Sequence, residues 1–104
     1  MREIVLARLD KTRPVLVLTR EAARTAMTKV TVAPIATTIK GLSSEVVLGP
    51  QNGLDHRCAA SMENVVTIPV SRLGRTVGFL TDAQERDLAE AEILAFDVDV
   101  PFYS

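Results

Sequence analysis

The sequence predicts a small, mostly β fold of the α+β class: a barrel of five to seven short strands covered by one C-terminal amphipathic helix. Three observations predict it. Apolar residues alternate or run together in short segments, Gly- and Pro-containing turns separate these segments, and the only convincing helical pattern follows Thr81. The 104 residues fit one domain, 1–104, because two cores of half that size would each be marginal.

The predicted strands follow one another at short intervals. In chain order they are 3–9, 15–18, 29–35, 45–48, 57–62, 65–70 and 74–80. Segment 15–18 is continuously apolar, which is typical of a strand covered on both faces. Pro34 cannot donate a hydrogen bond to a sheet, so its strand is expected to lie at an edge or to bend there. Segment 21–27 predicts a short helical turn, and segment 49–53, with two Gly and one Pro, predicts a turn.

The C-terminal helix begins with a capping box. Thr81 is followed three residues later by Gln84, so the hydroxyl can accept a backbone N–H while the amide reaches back to the start of the helix. Leu88, Ala91 and Ala95 then recur at helical spacing and form a narrow apolar stripe. The stripe predicts one face that packs on the barrel.

Charge is distributed unevenly along the chain, although the formal net charge is −1. Residues 1–75 contain eleven Lys and Arg against six Asp and Glu, whereas residues 76–104 contain one Arg against seven acids. A basic body of this kind can present a positive groove to a polyanion. The acidic end is equally typical of an ordinary solvated helix, so charge permits nucleic-acid binding without establishing it.

No segment predicts a membrane span or an export signal. The longest uncharged stretch, 30–39, has ten residues, and a membrane-spanning helix needs about twenty. The first residues, MREIVLARLD, carry charges throughout and contain no apolar block of a signal peptide. A single cysteine excludes a disulfide framework, which fits a reducing compartment. We therefore expect a cytoplasmic protein without membrane contact.

The residue inventory excludes several chemistries. There is no CxxC pair, HExxH or His cluster, so no metal site is expected, and no Walker A or GxGxxG loop is present to bind a nucleotide cofactor. His56 is the only imidazole and is expected to lie exposed in a loop. Cys58 lies in an apolar segment and is expected to be a core residue rather than a nucleophile.

Three polar segments remain as candidates for function: 11–14 (KTRP), 34–41 (PIATTIKG) and 61–64 (SMEN). They supply Arg, Lys, hydroxyl and carboxylate groups at the ends of predicted strands. Taken alone, such residues are typical of ordinary surface positions, with Arg13 paired to an acid and Glu63 in a turn.

The same segments resemble the MazF/PemK/Kid toxins. The resemblance rests on RPVLVLT at 13–19, VAPIATT at 32–38, SEVVL at 44–48 and ENVVTI at 63–68, which occur in the order and approximate spacing of that family. A terminal amphipathic helix follows them, and the chain is most similar to the short mycobacterial branch of MazF.

The resemblance implies a compact SH3-like barrel of the CcdB/PemK type, found as a homodimer. It also implies a sequence-specific endoribonuclease that cuts single-stranded RNA without a metal or cofactor. Cleavage would proceed by attack of the ribose 2′-OH and leave a 2′,3′-cyclic phosphate and a 5′-OH. The implied partner is a cognate MazE-type antitoxin.

The resemblance also assigns site residues. Arg13 matches the catalytic arginine of the family, and Glu63 occupies its acidic position, where it could orient Arg13 or accept the hydroxyl proton. Ala36 stands where the family commonly has a Thr that contacts the scissile phosphate, so Thr37 is expected to substitute for it, or activity is reduced. The expected RNA-binding residues are Lys11, Thr12, Thr38, Lys40, Ser61 and Asn64.

The sequence alone does not exclude two other functions. A gyrase poison resembling CcdB would share the barrel and depend on its extreme C-terminus, and the aromatic residues in 101–104 keep that reading open. A catalytically inactive module with the same fold is the third reading, because of Ala36.

Overall fold

The computed structural model describes residues 2–19 and 28–95. These residues form seven strands and one helix: β1 (Glu3–Arg8), β2 (Thr12–Val17), β3 (Lys29–Ala36), β4 (Glu45–Leu48), β5 (Cys58–Ser61), β6 (Val66–Pro69), β7 (Leu73–Phe79) and α1 (Asp82–Ala95). Three short 3₁₀ helices occupy Pro50–Asn52, Met62–Asn64 and Val70–Arg72. The helical turn expected over 21–27 and the C-terminal aromatics of 101–104 lie outside the described residues.

The strands form one curled antiparallel sheet. Its order is β4-β5-β3-β2-β1-β7, and β6 pairs with the first half of β3. Within the described residues β4 and β7 are the two edges, so the sheet is a half-barrel. The predicted fold class, mostly β with a C-terminal helix, is confirmed.

Strand β3 lies at the centre of the sheet. Its residues Lys29–Val32 pair with β6, whereas Ile35 and Ala36 pair with β5. Pro34 lies between these two pairings and has Val15 of β2 opposite it on the other side. The expectation of an edge strand is therefore wrong, because β3 has partner strands on both sides. A residue without an N–H is tolerated because the partner strand changes there.

Strand alternation divides the buried residues between two sides of the sheet. On one side, Ile4 and Leu16 pack with Leu88 and Ala91 of α1 in a core that also contains Met62. On the other side, a second group of buried aliphatic side chains comprises Val5, Ala7, Val15, Val17, Val30, Val32 and Ile68. Both faces of β2 are thus covered, as its continuous apolar run predicts.

Helix α1 starts with the predicted capping box. The backbone N–H of Gln84 donates to Thr81 Oγ1 at 3.2 Å, and the N–H of Thr81 donates to Gln84 Oε1 at 2.9 Å. Leu88 and Ala91 are buried, and Ala95 packs against the same core. The predicted apolar stripe is confirmed.

Gln84 also forms a buried amide pair with Asn52. Asn52 Nδ2 donates to Gln84 Oε1 at 2.7 Å, and Gln84 Nε2 donates back to Asn52 Oδ1 at 3.0 Å. The remaining donors reach the backbone carbonyls of Phe79 at 2.8 Å and Val47 at 3.2 Å. The pair therefore fastens α1 to β4, to β7 and to the 3₁₀ helix that contains Asn52.

This 3₁₀ helix, in the segment expected to be a turn, approaches β7 very closely. A Cβ at Gly78 would lie 1.7 Å from the carbonyl oxygen of Asn52, and a Cβ at Gly53 would lie 2.0 Å from that of Val77. Gly53 also has φ +83°, a conformation that favours glycine. Both positions need glycine so that the two backbones can touch.

We expect Gln84→Ala to lower the free energy of unfolding by about 1–3 kcal/mol, because it leaves the buried Asn52 amide without its partner. Gln51→Ala, at an exposed position in the same 3₁₀ helix, is the matched control and is expected to stay within about 0.5 kcal/mol of wild type. Denaturant unfolding followed by circular dichroism measures both. Equal stability of the two variants would contradict the role of the amide pair.

Candidate functional site

Arg13 lies on the side of the sheet opposite the helix. Residues two apart on a strand face the same way, so Arg13 shares its side with Val15. Val15 is opposite Pro34 in the neighbouring strand, and the same register continued by two residues brings Arg13 beside Ala36. Ala36, where the resemblance leads us to expect a Thr, is thus adjacent to the arginine.

The Arg13 guanidinium is half-buried and forms a local ion pair. Its Nη2 lies 3.0 Å from Asp10 Oδ2, and the two side chains are 31% and 73% exposed. An ion pair with such an exposed carboxylate contributes little, about 0–1 kcal/mol. A phosphate could therefore replace Asp10 at small cost. Nε of Arg13 is buried without a hydrogen-bond partner in the described structure.

A recess of about 180 Å³, here called the Glu63 recess, opens on the same side of the sheet. It brings together five of the sequence-predicted site residues, from β5, the following 3₁₀ helix and the loop after β3. The lining residues are Pro34, Ala36, Thr38, Lys40, Leu42, Glu45, Ala59, Ser61, Glu63 and Asn64.

Two hydroxyls position Glu63 within this recess. Ser44 Oγ donates to Glu63 Oε2, and the backbone N–H of Glu63 donates to Ser61 Oγ at 3.3 Å. The carboxylate is thus oriented by Ser44, while Arg13 is oriented by Asp10. From the sequence, Glu63 could orient Arg13. In the structure each of the two groups is held by a different partner. Ser44 was missed as a site residue, and only its place before strand β4 pointed to it.

Glu45 shapes the loop that carries Lys40. Its carboxylate accepts the backbone N–H of Lys40 at 3.2 Å and that of Leu42 at 3.0 Å. Between them, Gly41 has φ +77°. This second carboxylate, also missed by sequence reasoning, fixes the edge of the recess and places Lys40 there.

A larger recess of about 330 Å³, here called the Arg75 recess, opens at the other side of β3. It lies at the open end of the half-barrel between β1, β7 and the segment that precedes β5. The lining residues are Leu6, Pro14, Ile35, Ala36, Thr37, Gly53, Leu54, Asp55, His56, Cys58, Arg75 and Val77.

Thr37 lines the Arg75 recess, whereas Thr38 lines the Glu63 recess. Successive residues of an extended chain point to opposite sides, which separates these two hydroxyls. Ala36 lines both recesses. His56 is exposed as expected, and Cys58 is 4% exposed as expected for a core residue. Burial raises the pKa of the Cys58 thiol, which keeps it protonated and poorly nucleophilic.

Lys11 and Thr12 lie exposed at the hairpin between β1 and β2, next to Arg13 but outside both recesses. Over residues 2–19 and 28–95, no group of three or more His, Cys, Asp or Glu could hold a metal ion. No helix in the described part of the chain is long and apolar enough to cross a bilayer.

A profile of the PemK-like, MazF-like toxins of type II toxin–antitoxin systems matches residues 2–95. The chain belongs to this toxin family. It is 54% identical over 99 residues to endoribonuclease MazF3 of Mycobacterium tuberculosis strain H37Rv, covering 95% of this chain and 96% of that protein. It is 40% identical over 86 residues to the probable endoribonuclease MazF5 of the same strain, covering 82% and 79%.

The fold agrees with that of a solved toxin of the family. The structure of the M. tuberculosis toxin MazF-mt6 superimposes with a TM-score of 0.91 at 52% identity, covering 95% of this chain and all of that one. The predicted family and its mostly β fold with a C-terminal helix are confirmed. These matches give no support to the gyrase-poison alternative.

We expect Glu45→Ala to release the loop of the Glu63 recess. The amide protons of Lys40 and Leu42 should exchange with solvent roughly fivefold faster, because each loses a hydrogen bond that contributes about 1 kcal/mol. Hydrogen exchange followed by NMR measures this. Glu90→Ala, at an exposed position of α1, is the control and should leave both amides unchanged. Unchanged exchange in Glu45→Ala would show that the loop is held by other contacts.

Proposed function

We propose that the chain is the toxin of a type II toxin–antitoxin system and a metal-independent endoribonuclease that cuts single-stranded RNA at a specific sequence. The observation that carries the proposal is the arrangement of Arg13 and the Glu63 recess on one side of the sheet, in a chain of this toxin family. A cation with fork geometry on the same side of the sheet as a positioned carboxylate suits attack on a phosphate by the neighbouring ribose hydroxyl.

Arg13 binds the scissile phosphate. Its guanidinium can donate two parallel hydrogen bonds to the non-bridging oxygens, where charge accumulates as the 2′-OH attacks. The exposed Asp10 holds the guanidinium in place until the phosphate replaces it. The 2′ oxygen bonds to phosphorus as the P–O5′ bond breaks, and the leaving 5′ oxygen takes a proton from water, which gives a 2′,3′-cyclic phosphate on one product and a 5′-OH on the other.

Glu63 accepts the proton of the attacking 2′-OH. Ser44 occupies only one of the carboxylate oxygens, so lone pairs stay available for the ribose hydroxyl. Thr38, Lys40, Ser61 and Asn64 of the same recess hold the RNA, since hydroxyl, ammonium and amide groups bind phosphates and base edges. Lys11 and Thr12 extend the contact along the hairpin.

Ala36 reduces the rate but does not abolish it. A Thr at this position would place a hydroxyl beside Arg13, whereas Thr37 faces the Arg75 recess and reaches the substrate only from there. The competing hypothesis is a catalytically inactive module with the same fold. The experiments below distinguish it from the nuclease.

The partners follow from the proposed function. An antitoxin of the MazE type would lay an acidic segment over the basic side that holds Arg13 and Lys40, and so exclude RNA. We also propose a homodimer, a single toxin domain over 1–104 and a cytoplasmic location. The family match over 2–95 supports the domain.

We expect the purified protein to cleave a long single-stranded RNA in EDTA, and Arg13→Ala to be about 10²–10³-fold slower, as for loss of an oxyanion donor. Arg13→Lys should recover little of the rate, because an ammonium lacks the fork. Arg72→Ala, an exposed arginine away from both recesses, is the control for loss of charge. Primer extension maps the cuts, and end-group analysis identifies the cyclic phosphate.

We expect Ala36→Thr to cleave about ten- to hundredfold faster than wild type, because a hydrogen bond to a charged phosphate contributes about 1.5–3 kcal/mol. Ala36→Val, of similar size but without the hydroxyl, is the matched control and should not gain activity. The measurement is the cleavage rate of wild type and of both variants on the same RNA. Absence of cleavage by both wild type and Ala36→Thr would refute the nuclease and favour the inactive module.

A further inference from the structure

We propose that the Arg75 recess binds one unstacked base of the substrate RNA, that of a nucleotide next to the scissile phosphate, and that Asp55 contributes to the choice of base by accepting a hydrogen bond from its edge. This inference rests on the proposed function and extends it from cleavage to sequence selection. Four observations carry it: the volume and lining of the recess, its open entrance, its continuity with the Glu63 recess, and the charges on its rim.

The recess has the volume and lining of a small-ligand site. Its volume of about 330 Å³ falls at the lower end of the range of about 300–1,000 Å³ for such sites. Leu6, Ile35, Leu54 and Val77 contribute an aliphatic floor. RNA-binding proteins commonly read single-stranded bases by splaying them out of the stack into contact with side chains. A floor of this kind contacts the faces of a base without an aromatic platform.

The entrance is open because the hairpin between β1 and β2 is short. Only residues 9–11 join the two strands, and the N–H of Leu9 donates to the carbonyl of Lys11 at 3.1 Å, which closes a tight turn. These residues do not line the recess. A base can therefore enter without displacing a loop.

The two recesses are neighbours across the end of β3. Ala36 lines both, Thr37 faces the Arg75 recess and Thr38 faces the Glu63 recess. An RNA strand whose phosphate binds Arg13 therefore lies within one residue step of the second entrance. The base that reaches it belongs to a nucleotide adjacent to the cleaved bond.

The rim carries groups that fit an RNA nucleotide. Arg75 is exposed and can bind a phosphate, and the exposed His56 is also among the lining residues. Asp55 is the one carboxylate among the lining residues. A carboxylate only accepts hydrogen bonds, so it reads where a base edge carries a donor, such as the exocyclic amino group of cytosine or the N3–H of uracil. Asp55 is thus expected to favour the base whose donor reaches it.

The test compares wild type with Asp55→Ala and Arg75→Ala on a randomised pool of single-stranded RNA, with Arg72→Ala as the matched arginine control. If wild type is inactive, all three substitutions are placed in Ala36→Thr. Sequencing of the cleaved ends gives the base preference at each position, and cleavage rates at several salt concentrations give the phosphate contribution. Circular dichroism verifies that each variant is folded.

We expect the parent to show a base preference at one position next to the cut. Asp55→Ala should weaken that preference about tenfold, as for a lost hydrogen bond to a charged group, and leave other positions unchanged. Arg75→Ala should slow cleavage about tenfold for every base and flatten the salt dependence, because phosphate contacts carry no sequence information. Arg72→Ala should match the parent.

Cleavage by Asp55→Ala and Arg75→Ala with the parent's rate and preferences would overturn the inference and leave the nuclease intact. If no variant cleaves, the proposed nuclease fails, and base binding is decided by titrating cytidine 3′-monophosphate into the ¹⁵N-labelled protein. Shifts of the Thr37, Leu54 and Val77 amides that Asp55→Ala reduces would support the recess as a base site. Their absence would overturn it.

Discussion

The paired amides of Asn52 and Gln84 are the contact on which the arrangement of this fold depends. Each amide donates to the other, and the remaining donors satisfy carbonyls of β4 and β7. Both side chains are buried, so every one of these bonds is needed to offset the loss of water. The contact is possible only because Gly53 and Gly78 let the 3₁₀ helix touch β7. Through it, the two edge strands are held to the same helix even though they do not pair.

The site, in contrast, depends on strand β3. Because this strand changes its partner from β6 to β5 at Pro34, its last residues, Ile35 and Ala36, pair with β5 where the two recesses meet. Along the end of β3, successive side chains point to opposite sides of the sheet. The Glu63 recess and Arg13 lie on one side, and the larger recess at the end of the half-barrel lies on the other.

Sequence patterns predicted the features that are formed by residues close together in the chain. The capping box of Thr81 and Gln84 spans three residues, and the strands follow from short apolar runs, so both could be read directly. The pairing of Gln84 with Asn52 joins residues 32 apart, and that of Ser44 with Glu63 joins residues 19 apart. Polar residues are usually exposed, so nothing local marks Ser44, Asn52 and Gln84 as buried. The separation of Thr37 from Arg13 depends on register, which only the folded sheet defines.

The division of side chains at residues 36–38 also bears on how such a protein can diversify. Residues that line one recess, such as Asp55 and Arg75, come from the segment before β5 and from β7, whereas Glu63 and Lys40 come from other parts of the chain. Substitutions in the first group can accumulate without displacing the second. A lineage with this architecture can therefore acquire new target preferences by gradual drift while its reactive centre stays under separate selection.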